Sequence, residues 1–501
     1  MRQSASVLFF ATIAASAQGP IQSSAPQGQP PSSGPPPSFH IGTKLVEVEV
    51  VAKDKYKDRN GLAAGLTKPD FTLLDNGKPQ EIAVFSVKAA PKSAQTPTKA
   101  VVALPPGIVS NRVNRQGEPP GSVTLVLLDQ KNTTEPFQVV AIHEIVKFIA
   151  ERRKQDRIGI YVLERFGLRL VQDITDDDGL LRAAAKSLKP LAPRTNPDTV
   201  VQFIERATDT KHAFQAVARH LASEPGRKSA VWITNSFPLV LPALGLDFTE
   251  DMQAAAQALG DSNIALYAVS ARSLSPAGRG IYPPGFNTMD LMAELTGGQV
   301  FINTNDIAGA IETAAEDDDL VYTLGFYPAQ DEPEALPHKL KVEVARKGLT
   351  LLYRESYVAA KTQAPVDPKA VQELLKDSLD ATEIELAARA IPDTAHPGSY
   401  RVQVSVNLHD VQFQHHDGSP KDALWTGQLG VALTVEGSED IREITRKLEF
   451  RDDQLKAGID RGTLVETSIP TPPGSKGILR IAVQDQLTGA AGSVKVPFGG
   501  K

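Results

Sequence analysis

The chain has 501 residues, of which 41% are hydrophobic and 22% are charged, and its formal net charge is −6 at pH 7. This length predicts two to four domains, and the composition is that of a soluble globular protein. The negative charge argues against a nucleic-acid partner. The sequence contains no cysteine, which excludes disulfides, thiolate nucleophiles and cysteine-ligated metal sites.

The N-terminus has the pattern of a secretory signal peptide. Residues 1–17 contain Arg2, an apolar core from Val7 to Ala15 and a small-residue cleavage motif, so we expect export to the periplasm, the cell surface or the medium. The apolar core is too short to span a bilayer, and we expect no transmembrane segment after signal cleavage. Residues 18–40 are rich in Pro, Ser and Gly, which predicts a disordered linker.

Two β-rich segments flank the middle of the chain. Residues 41–88 alternate apolar and charged residues and contain the hairpin signal Asp75-Asn76-Gly77, which predicts an N-terminal β segment. Residues 89–121 are rich in proline and charge without a period, which predicts a linker. Residues 319–359 carry further predicted strands. We expect them to pair with 41–88, because so short a segment is marginal as an independent sheet; two separate small sheets are the alternative.

Residues 122–318 alternate apolar strands with helices. Several of the strands are apolar on both faces, as in a parallel sheet that helices cover on both sides. We therefore predict a multidomain protein with a doubly wound α/β domain flanked by β-sandwich segments. Ligands of such sheets bind beyond the carboxyl ends of the strands, and Asp129 follows the strand at 123–128.

The last part of the chain is again rich in predicted strands. Residues 360–382 read as a linker and a short helix. Residues 383–499 contain alternating segments such as YRVQVSVNL and ILRIAVQDQ, which predict a C-terminal β-sandwich.

An ordered set of stretches resembles the bacterial family of acidobacterial VWFA-related domain proteins, and its α/β part resembles a von Willebrand factor type A domain. The set includes GLTKPDFTLLDNGKPQEIAVF at 65–85, VTLVLLDQKNT at 123–133, GRKSAVWIT at 226–234, LMAELTGG at 291–298 and HKLKVEVARKGLTLLYRESY at 338–357. The resemblance implies a von Willebrand factor A-like fold for 122–318. It also implies a binding module rather than an enzyme.

The resemblance further implies a metal-ion-dependent adhesion site, which takes Asp-x-Ser-x-Ser after the first strand, a Thr from a second loop and an Asp after the fourth strand. Asp129 and Thr133 match the first motif, Thr208 in RATDT would be the Thr of the second loop, and Asn235 stands at the last Asp. Oxygen ligands of this kind suit Mg²⁺ or another divalent cation. Lys131, however, replaces the first Ser, and an ammonium has no lone pair to donate.

Two interpretations of this degenerate site stay open. In the first, Asp129 and Lys131 form a metal-free polar cluster with their Thr and Asn neighbours, and no cofactor is expected. In the second, Lys131 turns outward while Asp129, Thr133, Thr208 and Asn235 hold a weakly bound ion.

Other motifs carry little chemistry. The acidic run at 172–179 is typical of a helix N-terminus. His409, His415 and His416 are close in sequence, but a polar hairpin turn explains them without a metal. We find no nucleophile–base pair and no phosphate-binding loop, so we predict no catalytic residue, and a hydrolase is the least favoured reading.

We therefore expect an exported, non-enzymatic protein-binding or adhesion-like module, whose partner is a protein or cell-surface ligand held near Asp129. The alternative is a structural or assembly component of the cell envelope whose A-like domain is free of metal.

Overall fold

The computed structural model describes residues 45–56, 61–89, 104–105, 107–112, 122–191, 199–272, 285–302, 304, 306–328, 337–358, 366, 369–416, 424–471 and 475–499. The predicted signal peptide and the 18–40 linker lie outside these residues. Within the described ranges, none of the helices combines the length and the apolar character needed to cross a membrane.

The elements follow in chain order. The first are β1 (Val46–Asp54), β2 (Phe71–Asp75), β3 (Lys78–Gln80), β4 (Val84–Ala89) and β5 (Val109–Ser110). The next are β6 (Val123–Asp129), α1 (Glu135–Glu151), β7 (Arg157–Glu164), β8 (Gly167–Thr175), α2 (Asp178–Ser187), α3 (Val200–His220), β9 (Lys228–Thr234), β10 (Val240–Leu241), β11 (Leu246–Asp247), α4 (Thr249–Asp261), β12 (Ile264–Ser270), α5 (Phe286–Thr296), β13 (Val300–Phe301) and α6 (Ile307–Asp317). The last are β14 (Leu320–Phe326), β15 (Pro337–Val344), β16 (Leu349–Leu352), β17 (Ser356–Val358), α7 (Ala370–Glu373), β18 (Leu386–Pro392), β19 (Ser399–Val406), β20 (Gln414–His416), β21 (Leu424–Val435), β22 (Arg442–Arg451), α8 (Asp452–Arg461), β23 (Thr463–Pro470), β24 (Gly477–Asp485) and β25 (Ala491–Phe498).

The central unit, β6 to α6, is built on a six-stranded sheet in the order β13-β12-β9-β6-β7-β8. All neighbours are parallel except β7 and β8, which form an antiparallel hairpin. Every residue of β6, β9 and β12 is buried, because helices cover both faces of the sheet. Helices α3, α4 and α5 contribute to the core on one face, and α1, α2 and α6 contribute to the core on the other.

The local sequence explains where α1 and α3 begin, the two helices that border the carboxyl edge of the sheet. Helix α1 begins after Thr134 with a proline in its first turn, and its buried stripe includes Ala141, Ile145 and Phe148. Thr134, predicted as the cap, occupies the cap position without a capping side-chain bond. Helix α3 begins at a capping box that Thr199 and Gln202 form, which satisfies free N–H groups of its first turn.

The first β unit combines strands from both sides of the central unit. One of its sheets has the order β16-β1-β14-β4 and the other β17-β15-β2-β3. Strand β1 pairs with β14 in the register Val46↔Phe326, and β2 pairs with β15 in the register Phe71↔Val344. The apolar residues of the two sheets share one core. The chain therefore leaves this unit after β4 and returns to it at β14.

The C-terminal unit contains a sheet in the order β23-β19-β18-β5 and a sheet formed by β20, β21, β24 and β25, with β22 paired to β21. Strand β5 lies inside the segment that we predicted to be a linker, yet it pairs with Ala387 and Ala388 of β18. Hydrogen bonds of the buried Asn111 hold β5 against the C-terminal unit. Its side chain donates to the carbonyls of Ala381 and Ile384 at 2.6 and 2.8 Å and accepts from the Leu386 N–H at 2.8 Å. The 89–121 linker prediction is therefore wrong at this point.

Residues 377–382 connect the C-terminal unit to the end of α3. The Thr382 hydroxyl donates to the carbonyl of His220 at 2.8 Å, and Arg219 forms an ion pair with Asp377 at 2.9 Å. His220 itself is buried, with its Nδ1 atom 2.8 Å from the Asp380 carbonyl and its Nε2 atom 3.0 Å from the Asp173 carboxylate. Both ring nitrogens face acceptors, so the arrangement favours the doubly protonated, charged ring.

The pH dependence of the unfolding free energy should show whether the His220 ring is charged. Burial opposes the charged form, but the bond and charge of Asp173 outweigh burial and raise the pKa of His220. A histidine whose pKa is raised on folding contributes stability that is complete below the unfolded pKa, about 6.5, and is lost as the pH rises through the folded pKa. We expect the urea midpoint of the wild-type protein to exceed that of His220→Gln at about pH 6, and the difference to shrink towards about pH 9. A difference that stays constant over this range would contradict a charged ring.

Candidate functional site

The candidate site lies at the carboxyl edge of the central sheet, between β6 and β9. From β6 the chain passes through α1 to β7 on one side, and later enters β9 on the other side. Such a reversal of strand order leaves a crevice beyond the carboxyl ends of the two strands, where open α/β sheets bind ligands. The residues here are called the edge cluster. They are Asp129, Asn132, Thr133, Thr234, Asn235 and Ser236.

Asp129 is the centre of the edge cluster. Its carboxylate is fully buried, and one oxygen accepts from the backbone N–H of Asn132 at 2.9 Å. The other oxygen accepts from the Asn132 side-chain amide at 2.8 Å, the Trp232 indole at 3.0 Å and the Thr234 hydroxyl at 2.8 Å. Burial raises the pKa of Asp129 above its ordinary value, although these bonds act in the opposite direction. All four donors are neutral groups.

The end of β9 is tied to this carboxylate. The Thr234 hydroxyl accepts from the backbone N–H of Ser236 at 2.7 Å while it donates to Asp129. Ser236 has a φ of 55°, in the left-handed region that a residue with a Cβ rarely adopts. Strained backbone of this kind concentrates at binding and catalytic sites, where the surrounding contacts hold it in place.

Two of the predicted site residues meet at this edge. The Thr133 hydroxyl accepts from the backbone N–H of Asn235 at 3.1 Å, which joins the loop after β6 to the loop after β9. Gln138 of α1 supports the loop after β6, because its side chain donates to the Thr133 carbonyl at 2.6 Å. Strand order therefore brings Asp129, Thr133 and Asn235 together.

Thr208 is placed differently from the predicted arrangement. RATDT is not a loop but part of α3, and it is the buried Thr210 whose hydroxyl accepts from the Asn132 side chain at 3.2 Å. Residues two apart on a helix point in different directions, so Thr208 and Thr210 cannot both face the edge cluster. The hydrogen bond to the loop after β6 is made by Thr210, and Thr208 stays a predicted ligand.

Lys131 forms an ion pair with Asp209 of α3, and its ammonium also donates to the Arg165 carbonyl in the turn between β7 and β8 at 3.3 Å. The Lys131 side chain is buried, whereas that of Asp209 is partly exposed. The lysine therefore links three segments at the edge. Its partner Asp209 was not singled out from the sequence, because nothing local relates two residues that far apart in the chain.

The hydrogen bonds of Asp129 leave little room for a divalent ion. Its Oδ2 atom accepts three hydrogen bonds and its Oδ1 atom accepts one, so only Oδ1 keeps a lone pair that is not in use. An ion at Oδ2 would have to displace a donor. Across the described ranges, no three His, Asp or Glu side chains are grouped so that they could hold a metal. The metal set of Asp129, Thr133, Thr208 and Asn235 stays a prediction, and the donor geometry argues against it.

Three buried oxygens of the edge cluster have no hydrogen-bond partner. They are the amide oxygens of Asn132 and Asn235 and the hydroxyl of Ser236. Asn132 is 8% exposed and Asn235 is 7% exposed. An unpaired buried polar group costs about 1–3 kcal/mol, so a ligand that supplies donors would gain from meeting these oxygens.

The other sequence candidates have structural explanations. Asp177, in the acidic run, caps α2 by accepting from the Leu180 N–H. His409 lies 3.1 Å from Asp460, and His416 lies 2.8 Å from the Thr426 hydroxyl. His415 contacts the Trp425 ring.

Comparisons with known proteins identify no family for the chain. No family model matches it, and no curated protein matches it. Among solved structures, it is similar to the SpRpn10 VWA domain, with 13% identity and a TM-score of 0.26, over 38% of this chain and 93% of that one. It is also similar to the pilus adhesin SpaC from Lactobacillus rhamnosus GG, with 11% identity and a TM-score of 0.29, over 86% of this chain and 58% of that one. These scores are too low to support an argument.

Removal of the Thr234 hydroxyl should destabilise the edge. Thr234→Val keeps the shape but leaves the Ser236 N–H without its acceptor and takes one donor from Asp129. We expect a loss of about 1–3 kcal/mol in unfolding free energy relative to Thr234→Ser, which keeps the hydroxyl. Urea unfolding of both variants measures the difference. Equal stabilities would show that the hydroxyl does not hold this loop.

Divalent ions should leave thermal stability unchanged. An ion that binds only the folded state raises the unfolding midpoint with its concentration. Because Lys131 stands at a ligand position and three donors occupy Oδ2 of Asp129, we expect the same midpoint in EDTA, Mg²⁺, Ca²⁺ and Mn²⁺ for the full chain. A dose-dependent rise that disappears in Asp129→Ala would instead establish a metal site.

Proposed function

We propose that the protein is an exported, non-enzymatic protein-binding or adhesion-like module that holds a protein or cell-surface ligand at the edge cluster. In this proposal the central unit is a von Willebrand factor A-like domain with a degenerate metal-ion-dependent adhesion site. The two β units would hold the central unit in position for its ligand. The resemblance of the ordered sequence stretches supports the A-like assignment, and the predicted signal peptide supports export.

The observation that carries the proposal is the group of three unpaired buried oxygens at the strand-order reversal. An unpaired buried oxygen is costly, and a ligand that supplies donors would remove that cost. Their position next to the strained Ser236 is where this sheet class binds ligands. The arrangement contains neither an activated nucleophile nor a base beside it, so binding accounts for it better than catalysis does.

Exposed apolar side chains beside the edge cluster provide further support. Phe166, in the turn between β7 and β8, is 96% exposed, and Val201 on the first turn of α3 is 62% exposed. Arg165, the residue before Phe166, contacts Lys131 through its carbonyl, so this turn adjoins the loop after β6. Large apolar side chains that are exposed on the elements around a ligand site are common on protein-binding surfaces.

The alternative function is a structural or assembly component of the cell envelope. The C-terminal unit also has individually exposed apolar residues, among them Ile441, Leu464 and Ile478, that such a role would use. In that case the partner would contact the C-terminal unit, and the edge cluster would only order its loops.

Site-specific photo-crosslinking in cells of the source organism separates the two functions. A photoreactive amino acid would replace Phe166 at the edge, Leu464 on the C-terminal unit, or Tyr56 on the first β unit, which is 87% exposed and serves as the control. We expect a discrete adduct from position 166, and its loss when Thr234→Val is added. An adduct from position 464 alone would favour the structural component, and equal labelling at all three positions would contradict a specific surface.

A further inference from the structure

The donor and acceptor pattern of the edge cluster defines the chemistry of its ligand. The Oδ2 atom of Asp129 already accepts three hydrogen bonds, and the oxygens of the cluster without any partner are those of Asn132, Asn235 and Ser236. Two of these are amide oxygens, which only accept hydrogen bonds, and the third is a hydroxyl, which can also accept. A ligand carboxylate offers only acceptors and would not satisfy them. The cluster therefore requires a ligand with N–H or O–H donors.

The charge of the cluster favours a cation. The donors to Asp129 are neutral, and the ammonium of Lys131 is paired with Asp209. No charged group donates a hydrogen bond to Asp129, so its carboxylate has no counter-ion among these contacts. Burial of an unbalanced carboxylate is costly, so an incoming positive charge nearby is stabilising.

We propose, on the basis of the proposed function, that the edge cluster binds the ammonium group of a lysine side chain on the partner protein. An ammonium carries three donors on one atom, which matches the number of unpaired oxygens. The planar guanidinium of arginine carries five donors in a fixed fork and would leave some of them without acceptors. These oxygens are covered in the free protein, so in this proposal the Asn235 side chain must turn for the ammonium to reach them.

The rim of the cluster suits the rest of a lysine side chain. Phe166 lies in the turn that Lys131 contacts, and Ile204 lies on α3 between its exposed first turn and Asp209. Lysine buries its aliphatic stem along apolar surface while its charged end reaches polar groups. An exposed aromatic ring also attracts a cation directly. The site so described recognises a cationic donor without a bridging metal.

The test uses n-butylammonium as a probe for the lysine side chain and the full chain labelled with ¹⁵N-asparagine. We expect saturable shifts of the side-chain amide signals of Asn132 and Asn235. Tetramethylammonium has the same charge and no N–H donor, and it should cause no such shift at equal ionic strength. Asn235→Leu removes one of the unpaired oxygens, and the amide signals that disappear from its spectrum are those of Asn235. This variant should also weaken the shift of the Asn132 signals on addition of butylammonium.

A second variant changes an exposed residue at the rim and leaves the oxygens of the edge cluster in place. Phe166→Ala should weaken butylammonium binding by about two- to fivefold, the loss expected for an exposed cation–π contact. Tyr56→Ala, which removes an exposed aromatic ring on another unit, should leave binding unchanged.

The proposal is overturned if butylammonium causes no saturable shift, if tetramethylammonium acts equally, or if Mg²⁺ rather than butylammonium shifts the asparagine signals. These outcomes are distinct from failure of the proposed function. An adduct at position 166 in the crosslinking experiment would still establish a partner at this edge, with a different chemistry of recognition.

Discussion

A buried carboxylate that is satisfied by neutral donors organises the carboxyl edge of the central sheet. Asp129 is fully buried, and a backbone amide, a side-chain amide, an indole and a hydroxyl donate hydrogen bonds to its carboxylate. These donors come from the loop after β6 and from the end of β9, so the two loops hold fixed positions. The unpaired oxygens and the strained Ser236 are consequences of the same arrangement.

Both β units attach at the opposite end of the sheet. Thr382 meets the last residues of α3, Arg354 contacts the Gly260 carbonyl at the end of α4, and Lys53 pairs with Asp317 at the end of α6. Helices that follow parallel strands run back towards the amino edge, so the C-terminal ends of these helices lie there. The attachment leaves the carboxyl edge facing away from these contacts, which suits a binding surface.

Sequence patterns predicted those parts of the molecule that local chemistry determines. The strand 123–128 was visible because it is apolar on both faces, and Asp129, Thr133 and Asn235 followed from their places after strands. Thr208 and Thr210 could not be told apart from the sequence, because helix phase decides which threonine faces the loop. Strand β5 was missed because it has two residues and is held by Asn111, whose partners are distant in sequence. The domain boundaries themselves stay predictions.

The pairing of β5 has a consequence for the order in which the chain can fold as it is synthesised. Asn111 cannot accept its hydrogen bond until Leu386, which lies 275 residues later, has been synthesised. Strand β1 likewise cannot pair until β14 has been synthesised. The central unit has its strands and helices in one continuous segment, so it alone can complete its core before the rest of the chain emerges. The early strands of both β units would meanwhile stay unpaired, with edges open to wrong partners. A chain of this design is therefore protected from wrong pairing if its β units fold only after the whole chain has been synthesised.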